Sequence, residues 1–116
     1  MWTVEYYETG KKSCPVKEFI DSLPSPKMQA KALRDIGLLE SLGSEMREPF
    51  SKPIGSGLFE LRIQFSSNIA RIFYFFFYGK RIVLTNGFMK KTNKTPQREI
   101  ERAIEYKNDY ERRVRM

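Results

Sequence analysis

The chain has 116 residues, 41% of them hydrophobic, with 9 Phe, 6 Tyr and 1 Trp, which suits one domain with a real core (residues 1–116) and excludes a disordered tail. Its single cysteine, Cys14, excludes an internal disulfide and suits a reducing compartment. The net charge of +7 is one-sided: Leu61 to Arg98 holds Arg62, Arg71, Lys80, Arg81, Lys90, Lys91, Lys94 and Arg98 and no acidic residue, a field that draws in polyanions, chiefly nucleic acid.

Trp2 to Tyr7 alternates Trp2, Val4 and Tyr6 with Thr3, Glu5 and Tyr7 and predicts a strand. This start has no basic end and no apolar run of signal-peptide length, so a soluble, cytoplasmic protein without membrane contact is expected. A turn at Gly10 to Ser13 leads to a short helix, capped by Ser13 or Cys14, with Pro15 in its first turn and Val16, Phe19, Ile20 and Leu23 on one face. Pro24 stops it. Ser25-Pro26 opens a second helix by the same logic, with a stripe of Ala32, Leu33, Ile36, Leu39 and Leu42 and a stop at Gly43. Gly37 inside it suggests close packing.

Ser44 to Gly57, marked by Pro49, Pro53, Gly55 and Gly57, reads as a loop. Three strands follow. Leu58–Phe65 puts Phe59, Leu61, Ile63 and Phe65 on one face and Glu60, Arg62 and Gln64 on the other. Ile69–Tyr78 is aromatic on both faces, as a central strand should be, and Arg81–Phe88 pairs with it across Gly79-Lys80. A basic loop from Met89 to Lys94 precedes a last helix that opens at Thr95-Pro96 and carries Ile100, Ala103, Ile104, Lys107, Tyr110 and Val114 on one stripe. The order β-α-α-β-β-β-α predicts an α+β fold with an antiparallel-rich four-stranded sheet, the two early helices covering one face.

The chain has no histidine and one cysteine, which leaves no Ser-His or Cys-His nucleophile and next to no basis for a zinc site. The basic stretch lacks the carboxylates a two-metal nuclease needs, and no cofactor motif is present. What remains is a cationic site. Arg62 lies on the polar face of its strand, and Arg71, near the start of the next, can reach the same surface across the hairpin. Lys90 and Lys91 follow the third strand. Such groups hold a phosphate and neutralise charge on a pentacovalent intermediate. RNA supplies its own nucleophile, the 2′-hydroxyl, so the protein need only align it and move protons. A lysine among other cations has its pKa lowered toward a useful base; Glu60, alone among carboxylates on the proposed face, is the other candidate base, although an ion pair with Arg62 is the plainer role. Lys94, Arg98, Gln64 and Phe88 are further candidates for RNA contact. Surface bridging for Arg62 and a solvated loop for Lys90 and Lys91 are the structural alternatives, and the Phe73 to Phe77 run is expected in the core.

Phe59-Glu60-Leu61-Arg62, Ala70-Arg71-Ile72-Phe73-Tyr74-Phe75, and Asn86-Gly87-Phe88-Met89-Lys90-Lys91-Thr92 followed by Thr95-Pro96 resemble, in order, the phage-derived HigB-type branch of the RelE/ParE toxins. Cys14 to Leu23 and the closing helix are similar too. The resemblance implies a RelE-like, microbial-RNase-like fold and metal-independent endoribonuclease activity on mRNA in the ribosomal A site, with no cofactor. It also implies a type II toxin–antitoxin pair, in which a HigA-like helix-turn-helix antitoxin forms a hetero-oligomer with the toxin and contacts operator DNA on its behalf. By position it assigns Arg62, Arg71 and Lys90 or Lys91 to the site. Three departures leave the general acid and base open: there is no histidine, Asn93-Lys94-Thr95-Pro96 lacks the tyrosine RelE uses, and Glu60 stands where a lysine is expected. A ParE-like gyrase poison or a non-catalytic phage regulator shares the fold and competes with this reading.

Overall fold

A computed structural model describes residues 1–90 and 94–114. The described elements are β1 (Thr3–Tyr6), α1 (Pro15–Asp21), α2 (Pro26–Leu42), β2 (Ser51–Gly55), β3 (Leu58–Phe65), β4 (Asn68–Phe77), β5 (Arg81–Met89) and α3 (Gln97–Val114). The strands form one five-stranded sheet in the order β1-β5-β4-β3-β2. β1 runs parallel to β5, and the other pairs are antiparallel. The fold is α+β as expected, but the sheet is mixed and has five strands rather than four. The extra strand is β2, inside the segment read as loop. It lies at the sheet edge, where Pro53 costs little because one side of the strand makes no ladder bonds.

The pleat sorts side chains into two cores. Leu61, Ile63, Ala70, Ile72, Tyr74, Ile82 and Leu84 meet Val16 and Ile20 of α1, Leu23 of the link between the helices, and Met28, Ala32, Ile36 and Leu39 of α2. On the other face Leu58, Phe73, Phe75, Val83 and Phe88 meet Ala103 and Tyr110 of α3. β4 is central and aromatic on both faces, as its composition predicts. The caps follow the sequence closely: the Met28 N–H donates to Ser25 Oγ at 3.2 Å, and α2 stops at Gly43, whose φ of +54° and whose contact with the Trp2 indole leave no room for a Cβ. Cys14 caps α1 by backbone position only, without a side-chain bond.

Two readings of α2 need correction. Leu33 and Leu42 are exposed, and the buried stripe takes Met28 and Asp35 in their place. Gly37 faces open space, so close packing is not its role.

One irregularity positions the site. Ile72 pairs with Gly87 and Tyr74 with Leu84, so Phe73 alone opposes Thr85 and Asn86. This β-bulge inserts one residue and reverses the alternation of β5 beyond it. Val83, before the bulge, and Phe88, after it, therefore enter the α3-side core together. Gly87 is turned toward α1, where a Cβ would lie 2.4 Å from Phe19 Cδ2.

Candidate nucleic-acid interface

Arg62 and Arg71 are direct register partners between β3 and β4, and Phe88 of β5 is the next partner of Arg71. Directly opposed residues project from the same face of a sheet. This row therefore sits on the α3 side, beyond the aromatic core. Glu60, two residues from Arg62, is on the same face. Lys90 follows Phe88 by two, and its N–H donates to the Ile69 carbonyl at 2.9 Å; Ile69 is in turn the partner of Gln64. Lys90 and Gln64 thus flank the row on the side of the Ser66-Ser67 turn.

At the centre is a buried ion pair. Glu60 is 1% exposed and Arg71 3%. Arg71 Nη1 donates to Glu60 Oε2, and Arg62 Nε stands 3.7 Å from the same oxygen. The Thr95 hydroxyl donates to Glu60 Oε1 at 3.1 Å, tying the approach to α3 into the site. Glu60 is thus held on both oxygens and is not available as a base. Its principal partner is Arg71 rather than Arg62.

Arg71 is likewise more deeply placed than an open phosphate clamp. Burial holds its pKa down most, with the proximity of Arg62 adding to the depression and Glu60 opposing it. Arg62 is the more open of the two guanidinium groups, with 28% of its side chain exposed. Among the described residues, Arg62 Nε and Arg71 Nε are buried donors with no hydrogen-bond acceptor; 3.7 Å is too long for one.

Lys90 is half-buried. Desolvation lowers its pKa most, followed by Arg71, with Arg62 and Lys52 adding to the depression and Glu60 opposing it. Arg62, Arg71, Lys90 and Lys52 against Glu60 give four formal positive charges and one negative, a net of three. Such crowding disfavours the charged forms of Arg71 and Lys90.

The structure brings Arg62, Arg71, Glu60, Lys90, Phe88 and Gln64 onto one surface. Phe88 is 8% exposed and packs tilted against Phe73, so it supports the floor of the site and presents no open ring to a base. Lys94 and Arg98 are exposed at the start of the α3 region. Lys91 lies outside the described residues. Lys80 and Arg81 are at the far end of the hairpin, where Arg81 Nη1 donates to Tyr110 Oη at 3.1 Å. Two residues escaped the sequence reading: Lys52, hidden in a supposed loop, and Thr95, read only as a helix start. The spacing of Lys52 from Pro53 gave no strand signal; only the pairing with β3 reveals its face.

These features define a small basic α+β protein with a cluster of cationic side chains on one face at the end of its sheet. Residues 18–108 match the family described as Phage derived protein Gp49-like (DUF891). The chain belongs to that family, a phage-derived group of RelE/HigB-type toxin-like proteins. No curated protein matches it.

Proposed function

We propose that this protein is the toxin of a type II toxin–antitoxin pair and acts as a metal-independent endoribonuclease on mRNA at the ribosome. The observation that carries the reading is the convergence of Arg62, Arg71 and Lys90 from three strands on one face. A surface that only contacts a protein has no need to press cations together at the expense of their own charge.

Arg62 holds the non-bridging oxygens of the scissile phosphate. Arg71 acts as a positioning residue: it fixes Glu60, and Glu60 in turn draws Arg62 toward the site. Lys90, whose lowered pKa makes its neutral amine easier to reach, takes the proton from the 2′-hydroxyl. The 2′-oxygen bonds to phosphorus, the bond to the 5′-oxygen breaks, and that oxygen takes up a proton from solvent water. The products are a 2′,3′-cyclic phosphate and a 5′-hydroxyl. A cognate HigA-like helix-turn-helix antitoxin keeps the toxin inactive, in the cytoplasm, as a hetero-oligomer.

The test is expression without the genetic neighbour, with 5′ ends of cellular mRNA mapped by primer extension. Growth arrest with new, codon-aligned ends is expected, and Arg62→Ala should remove both. Arrest with double-strand DNA breaks and intact mRNA would overturn the reading in favour of a gyrase poison.

A further inference from the structure

We propose that the edge strand β2 carries the RNA strand past the cationic cluster, with Lys52 holding the phosphate next to the scissile one and Phe50 stacking on the adjoining base. This rests on the reading of the cluster as an RNA-cutting site.

Lys52 is the register partner of Glu60, so it projects on the face that carries Arg62 and Arg71. Ser51, between Phe50 and Lys52, goes the other way: its hydroxyl meets Tyr74 Oη in the core beneath α1 and α2. Phe50 extends the ladder by one step, because the Arg62 N–H donates to its carbonyl at 2.9 Å. That bond sets Phe50 beside Arg62 at the margin of the cluster. Two residues along a strand span about 6.8 Å, comparable with the step from one backbone phosphate to the next.

Charge and exposure support the same use. Lys52 is exposed, yet its charge reaches Lys90 and disfavours protonation there. The carboxylate opposite Lys52 is Glu60, already held by Arg71 and Thr95. A lysine serving only to guard a sheet edge against pairing would not need to add to a cluster that repels it. Phe50 is 56% exposed. Cations that track a backbone, with an open aromatic ring beside them, are the surface on which proteins bind single-stranded nucleic acid.

The experiment measures binding of a short, fully 2′-O-methylated single-stranded RNA, which has no hydroxyl to attack, as a function of salt. Lys52→Ala should weaken binding about tenfold and reduce the slope of log affinity against log salt by about 0.7. Phe50→Ala should weaken it about fivefold or more without changing that slope. Lys52→Arg should bind as the parent does. Both positions are exposed, so the variants keep the parent's melting temperature. If the parent binds and Arg62→Ala weakens it, while Lys52→Ala leaves affinity and slope unchanged, the β2 track is wrong and the cleavage site stands. If the parent binds no free RNA, the track is wrong, while the cleavage reading is decided separately by the ends produced on the ribosome.

Discussion

Arg71 donates a buried hydrogen bond to Glu60, beside the more open Arg62. Removing one partner of such a pair strands the other charge in a low-polarity setting. Arg71→Ala should therefore lose about 3–5 kcal/mol in urea unfolding, and its loss of toxicity would not separate chemistry from folding. Arg71→Met combined with Glu60→Leu should recover most of that stability while remaining non-toxic. Lys90 behaves in the opposite sense. Its pKa lies below the ordinary lysine value in the folded chain, chiefly by desolvation and then by Arg71. Between the folded and unfolded values the unfolded chain binds more protons, so stability rises with pH through that window, and below it the penalty is constant. Lys90→Met should flatten that rise and leave the melting temperature equal or higher, while lowering cleavage about 100-fold or more. A melting temperature that falls with Lys90→Met would contradict the crowding described for it.

At the scale of elements, the bulge at Thr85 and Asn86 decides which face the end of β5 presents. The Thr85 hydroxyl donates to the Phe73 carbonyl at 3.3 Å and Asn86 Nδ2 donates to the Glu99 carbonyl at 3.3 Å, while Asn86 Oδ1 is buried without a hydrogen-bond partner among the described residues. Gly87 then passes under Phe19 with no space for a Cβ. Gly87→Ala should cost about 1–3 kcal/mol by overpacking, and a double-mutant cycle with Phe19→Leu should show that the two changes are not additive. Much of this level was legible in the sequence. The period-2 pattern of Leu58–Phe65 and the proline and serine signals around α2 located those elements, and the pleat placed Arg62 away from α1 and α2. β2 was not legible, because a short edge strand with Pro53 and Gly55 needs its partner to be recognised. The depth of Arg71 and the occupation of Glu60 were hidden for a related reason: alternation gives the face of a residue, but not which partner closes over it. Phe88 shows the same limit, since only the bulge puts it on the site's face.

For the molecule as a whole, α3 is clamped to the sheet by polar contacts at its C-terminal half. Tyr7 Oη donates to Asp109 Oδ2 at 2.6 Å, Arg113 Nη2 donates to the same oxygen at 2.5 Å, and Tyr110 Oη donates to Glu5 Oε1 at 2.6 Å. Burial and Asp109 push the Tyr7 phenol up to about 12. The bond from Tyr7 holds the Asp109 carboxyl below its usual range, with Arg113 assisting. Its folded value is depressed, so this contribution is fully present above the ordinary carboxylate pKa and is lost as pH falls through the folded one. Asp109→Asn should lower stability at neutral pH and reduce the further loss on acidification, read by thermal melts across that range. The clamp lies at the opposite end of α3 from the Thr95–Glu60 contact, so the variant should leave cleavage by folded protein unchanged. The sheet thus serves two ends: one fixes the last helix, and the other gathers the cationic cluster.

The chemistry assigned to that charged end is read most directly from the termini it leaves. Purified protein added to ribosomes translating a defined mRNA should yield a 2′,3′-cyclic phosphate and a 5′-hydroxyl at each cut, and a 2′-deoxy sugar at the cut nucleotide should abolish cleavage. Ends bearing a 3′-hydroxyl and a 5′-phosphate, or undiminished cutting of the deoxy-substituted message, would contradict the account.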